Sequence, residues 1–100
     1  MHKRSFSDKS KITLHKLVNR KEDNYYIIGR TQTAFYIQTT HVGSLIVALL
    51  SKGKSVEQIK KEISKKYKNI DVDSFINRLI ENGFIEKIDS KKIENKIKKI

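Results

Sequence analysis

Val42, Leu45, Ile46, Leu49 and Leu50 recur at i, i+3, i+4, i+7 and i+8, the spacing that gathers side chains on one face of an α-helix. Thr39 or Thr40 offers an N-cap to that helix, and Gly53 stops it after Lys52. Ser55 and Gln58 then form a capping box for a second helix, with Val56, Ile59, Ile63 and Tyr67 facing inward. Asp71 and Asp73 open a third helix, where carboxylates suit the partial positive charge of a helix start. Its stripe is Val72, Phe75, Ile76, Leu79 and Ile80, and Gly83 ends it before the extended run Phe84-Ile85-Glu86-Lys87-Ile88. The short connections between these stripes predict tight reversals and a trihelical bundle. Such one-sided helices must lie against something apolar.

The first half of the chain supplies that partner. Residues 14–18 read as a first strand, 19–24 as a polar turn, and 25–30 as a second strand rich in β-branched and aromatic residues. Residues 31–33 close a hairpin, and Ala34, Phe35, Tyr36, Ile37 and Gln38 return as a third strand. Three short strands with one apolar face need a cover, which the helices provide. The expected fold class is therefore α+β: winged helix-turn-helix-like, with a three-stranded antiparallel sheet followed by a three-helix bundle. Beyond it, Ile93, Ile97 and Ile100 among lysines predict a short basic C-terminal helix over residues 90–100. That tail either packs on the body or forms a stalk toward a further domain or a membrane surface.

Net charge is +11, and its distribution says more than its sum. Residues 1–22 carry seven Lys/Arg against two acids and residues 86–100 six against three, which leaves the central body only +3. This places a basic N-terminal arm at 1–13, a folded domain at 14–88 and a basic amphipathic tail at 89–100, and it weakens a nucleic-acid role for the body. The chain has no Cys, so disulfides and thiolate metal sites are excluded. His2, His15 and His41 show no ligand spacing with acids, and no phosphate loop or nucleophile motif occurs. The expectation is a non-enzyme with no catalytic residues, cofactor or metal. The longest apolar run is too short for a membrane span and the N-terminus lacks a signal-peptide core, so a cytoplasmic location is expected.

The order of these elements resembles a known family. A strand and a hairpin lead into Tyr36-Ile37-Gln38-Thr39-Thr40-His41-Val42-Gly43-Ser44-Leu45-Ile46. Leu49-Leu50-Ser51-Lys52-Gly53-Lys54-Ser55-Val56-Glu57-Gln58-Ile59 follows, then Tyr67, Val72-Asp73-Ser74-Phe75-Ile76, Leu79 and Gly83-Phe84-Ile85. This set, spanning residues 14–88, resembles the PqqD-like family, also called RiPP recognition elements. The chain departs from the pattern at Gln38-Thr39, where the family often carries Leu-Asn. The resemblance implies a non-catalytic module. In such modules the leader of a ribosomally made precursor peptide adds as a strand beside the third strand, in a cleft against the third helix. The implied partners are that leader and a peptide-modifying enzyme or protease, acting in trans or fused downstream, with membrane contact only if the tail leads to another domain.

Carried onto this chain, the peptide-binding residues are Ala34, Phe35, Tyr36, Ile37 and Gln38 on the strand and Phe75, Arg78 and Leu79 on the helix. Alternation puts Phe35 and Ile37 on one face, expected to be core, and Tyr36 and Gln38 on the other. Arg78 is the sole cation of the third helix and could pair with an acidic leader residue. For Phe75 and Leu79 plain core packing is the competing role, and for Arg78 a solvated charge. The rival function is a winged-helix DNA-binding transcriptional regulator. Against it stands the third helix, whose N-terminal residues would read bases but which opens with Asp71 and Asp73 and carries a balance of −2.

Overall fold

The computed structural model describes residues 6–93. The chain runs β1 (Ile12–Leu14), β2 (Val18–Lys21), β3 (Tyr26–Arg30), β4 (Phe35–Thr39), α1 (His41–Ser51), α2 (Val56–Ser64), α3 (Val72–Glu81), β5 (Ile85–Ile88) and β6 (Lys91–Lys92). The described residues form a small α+β fold with antiparallel sheets and three helices.

Among the described residues there are two sheets where one was expected. One is ordered β2-β3-β4 and the other β1-β5-β6. The stretch 14–18 straddles both, because Leu14 closes β1 while Val18 opens β2. Ile12 pairs with Ile88 and Leu14 with Ile85, with an irregularity after Thr13, whereas Val18 pairs with Gly29. Just past β1 the His15 N–H donates to the Phe84 carbonyl at 2.9 Å, which extends the β1–β5 pairing to the point where the chain leaves for the other sheet.

Residues 6–13, assigned by charge to a solvated arm, belong to the packed body. Phe6 and Ile12 are buried in the core, and Ser10 is 2% exposed. The segment also serves α2: the N–H groups of Val56 and Glu57 donate to the carbonyls of Ser10 and Asp8. These are first-turn donors that a helix cannot satisfy internally. The tail differs as well. Instead of opening a helix, Lys91 and Lys92 form β6, paired with Ile88 and Lys87 across a tight turn in which Asp89 and Ser90 both have positive φ. Ile97 and Ile100 lie outside the described residues, while Ile93 packs against the core.

The helix boundaries follow local chemistry. Thr40 caps α1 by accepting from the Gly43 N–H, and Gly53, at φ +83, ends it. Ser55 and Gln58 form the reciprocal capping box of α2, at 3.3 and 2.8 Å. Asp71 caps α3 through the Ser74 N–H at 3.0 Å. Tyr67 lies beyond the end of α2 and is half-buried. Ile28, Ile46, Val47, Val56, Ile59, Ile76, Leu79, Phe84 and Ile85 are sealed from solvent, so β3, all three helices and β5 share one core. Among the described residues no helix is long and apolar enough to cross a membrane.

Candidate functional site

β4 lies at the margin of its sheet, hydrogen-bonded to β3 on one side, and among the described residues no strand pairs with its other side. Its residues, Phe35-Tyr36-Ile37-Gln38-Thr39, include no charge. Alternation gives the strand two faces. Ile37 and Thr39 are buried and Phe35 half-buried toward the helices, while Tyr36 and Gln38 are exposed. The expected facing of these four side chains, Phe35 and Ile37 inward and Tyr36 and Gln38 outward, is what the fold displays.

The direction of the backbone groups matters more for docking. Arg78 Nη2 donates to the Gln38 carbonyl at 3.2 Å, so that carbonyl points away from β3. In an antiparallel ladder the residues alternate between pairs that exchange both bonds and pairs that exchange neither. Gln38 opposite Ile27 and Tyr36 opposite Gly29 are therefore the non-bonded pairs, and their N–H and C=O groups face outward. The Tyr36 ring supports this assignment. It lies directly over Gly29, where a Cβ would overlap the ring, as the shorter separation of a non-bonded pair brings side chains together.

α3 reaches β4 through side chains. Gly43 of α1 is the point of closest approach: a Cβ there would collide with Thr39 Oγ1 and come within 2.9 Å of the Phe75 ring. Lacking that atom, α1 lets Thr39 at the end of β4 and the Phe75 ring both close in on it. Phe75, half-buried, thus closes one end of the β4–α3 seam, and exposed Arg78 bridges it at Gln38. The structure brings Tyr36, Gln38, Phe75 and Arg78 to one edge. Two expected site residues fall away from it. Leu79 is fully buried and has no surface to offer a ligand. Ala34 precedes β4 in the hairpin turn, at φ +59, with its N–H donating to the Thr31 carbonyl.

The opposite margin of the same sheet, β2, is of another character. Its Asn19, Arg20 and Lys21 are exposed. Asn19 and Ser44 exchange two hydrogen bonds, at 2.9 and 3.3 Å, and Arg20 pairs with Glu22 at 2.7 Å. Charge and side-chain ties of this kind guard an edge against pairing.

Elsewhere, Lys60 forms ion pairs with Asp8 at 2.6 Å and Asp73 at 3.1 Å. The hydrogen bond to Asp8 and the Asp73 carboxylate hold the Lys60 pKa above its ordinary value, against partial burial. This triad pins the N-terminal segment to the first turn of α3 and offsets one of the acids there. It borders a depression of about 490 Å³ between the end of α2 and the start of α3, lined also by Tyr67 and Ile70 and separate from the β4 edge. His15 is held below its ordinary pKa by burial and by nearby Arg30, with Glu86 opposing. No group of three or more His, Cys, Asp or Glu among the described residues is placed to hold a metal ion.

The close approach at Gly43 and the Arg78 bridge had no sequence signature beyond a glycine in the first turn of a helix and a lone cation. Both depend on how α1 and α3 cross β4. No family model, curated protein or solved structure matches the chain.

Proposed function

We propose that this chain is a non-catalytic peptide-binding module. It captures the leader segment of a ribosomally synthesised precursor peptide by strand addition to β4 and presents it, in the cytoplasm, to a modifying enzyme or protease acting in trans or fused to it. The observation that carries the reading is the uncharged open edge of β4, with the backbone groups of Tyr36 and Gln38 turned outward beside α3. The resemblance to the PqqD-like family implies a ligand on this strand, and the succession α1, α2, α3 and hairpin β5–β6 suits a winged helix-turn-helix-like fold.

The magnitudes say what such a site needs. Tyr36 and Gln38 each offer one N–H and one C=O, and at about 0.5–1.5 kcal/mol net per bond the ladder contributes roughly 2–6 kcal/mol. Association costs roughly 4–15 kcal/mol in lost freedom. Backbone pairing alone does not hold a peptide, so side-chain contacts with the exposed Tyr36 ring, the Phe75 face and Arg78 must supply affinity and discrimination. Fluorescence anisotropy with the labelled leader of a precursor encoded beside this chain tests the reading. Saturable binding that persists at moderate salt is the expected result.

One observation favours DNA binding as a second reading. The β5–β6 hairpin after α3 carries Lys87, Lys91 and Lys92, where a basic wing would stand. The surface of α3 weighs against it, since Ser74, Asn77 and Glu81 are exposed there with Arg78 as the only cation. Labelled duplex DNA in the same assay separates the two: tight, steeply salt-dependent binding to DNA without leader binding overturns the peptide reading.

A further inference from the structure

We infer that Arg78 is a latch on the open edge that selects peptides carrying an Asp or Glu level with Gln38; the inference rests on the peptide-docking reading above. The Arg78 guanidinium donates to the outward carbonyl of Gln38, an acceptor that an added strand would use. A strand of any sequence must therefore compete with this contact. Among the ion pairs of the described residues none involves Arg78, so its charge is answered only by a neutral carbonyl and most of its N–H donors are unused. A planar guanidinium with free donors is suited to bidentate pairing with a carboxylate. A peptide with a carboxylate at that level can draw Arg78 off the strand and keep it paired, while its own N–H takes over the Gln38 carbonyl. A peptide with a neutral residue there displaces Arg78 and leaves it with water alone. The same contact thus protects the edge before a strand docks and discriminates once one does.

Selection from a displayed library of random peptides on the intact chain tests this. The expected wild-type pool is enriched in Asp or Glu at one position, and selection on R78E enriches Lys or Arg at that position. For a selected peptide, Glu→Gln at that position should weaken binding to wild type by about tenfold, equivalent to about 1.4 kcal/mol, and leave binding to R78Q unchanged. Pools without an acidic preference, or an equal Glu→Gln loss on R78Q, overturn the latch while leaving strand addition intact, provided that binding is abolished by Y36P. Failure to enrich any peptide, or peptides indifferent to Y36P, overturns the docking reading itself.

Discussion

Proline substitution along β4 separates backbone groups that serve the sheet from those turned toward a ligand. Proline removes one N–H and fixes φ near the extended range, so at a strand margin it is tolerated only where that N–H points away from the ladder. At Tyr36 and Gln38 the lost donor lies outside the sheet, and both side chains are exposed. Y36P gives up the ring contact on Gly29 and no ladder bond, so a loss of about 1 kcal/mol is expected. At Ile37 the lost N–H is the one bonded to Ile28. The side chain there is also 8% exposed, so the bond, about 0.5–1.5 kcal/mol, adds to a truncation cost of roughly 2–5 kcal/mol. I37P should therefore be severely destabilised or unfolded in urea titrations, while Y36P and Q38P remain folded. Against a bound peptide the order reverses. An added strand lies about 4.8 Å away, so the pyrrolidine ring introduced by Y36P or Q38P both deletes a donor and meets the incoming chain, and at least tenfold weaker binding follows. If I37P were as stable as Y36P, the alternation of inward and outward groups on β4 would be wrong. If folded Y36P and Q38P both bound leader peptide like wild type, strand addition would be excluded.

Three further outcomes follow from the packing. Gly43→Ala places a methyl against Thr39 Oγ1 and the Phe75 ring, and should cost about 1–3 kcal/mol by urea denaturation as the β4–α3 seam is forced apart. Leu79→Ala should lower stability by roughly 2–5 kcal/mol yet leave the peptide affinity of the folded protein unchanged, whereas F75A should weaken binding. The Asp89 carboxylate accepts from the Lys11 N–H and the Ser10 hydroxyl, which hold its pKa below the ordinary 3.8. A folded-state pKa below the unfolded one means stability that is present above pH 3.8 and lost as pH falls through the lower folded value. D89N should remove that component, so its urea midpoint should fall less than that of wild type between about pH 5 and about pH 3.

What the sequence revealed and what it hid divide along the range of the interactions involved. Helix caps are decided within a few residues, so Ser55 with Gln58, Gly53 and Gly83 could be read directly. The first cap was narrowed to Thr39 or Thr40 and the third helix start to Asp71 and Asp73, of which Thr40 and Asp71 are the caps. The faces of β4 were legible for the same reason, since strand alternation is local. The break after Leu14 was not, because it is set by Ile88 and Ile85 at the far end of the chain and not by the polar residues around it. Phe6 was hidden inside a basic stretch whose charge pointed to solvent, although a helix start and the Asp89 turn required the backbone groups that stretch provides. A count along α3 alone also could not show that Lys60, remote in sequence, pairs with Asp73.

The two margins of the β2-β3-β4 sheet make the functional argument independently of any family. Among the described residues both are edges, and both turn N–H and C=O groups outward from the sheet. Exposed edges invite pairing with another chain, and proteins blunt them with charge or cover. β2 is blunted by Arg20, Lys21 and the Asn19–Ser44 bonds. β4 has neither charge nor proline in its five residues, and its guard is one exposed arginine from a neighbouring helix. A guard on the strand itself would be permanent, whereas a side chain reaching from α3 can withdraw. An edge protected only by a movable group suits reversible occupation. The competing outcome, pairing of β4 with a second copy of itself, is decided by sedimentation at rising concentration: a chain that stays monomeric in wild type and self-associates as R78A would show that Arg78 is what keeps the edge open for a partner.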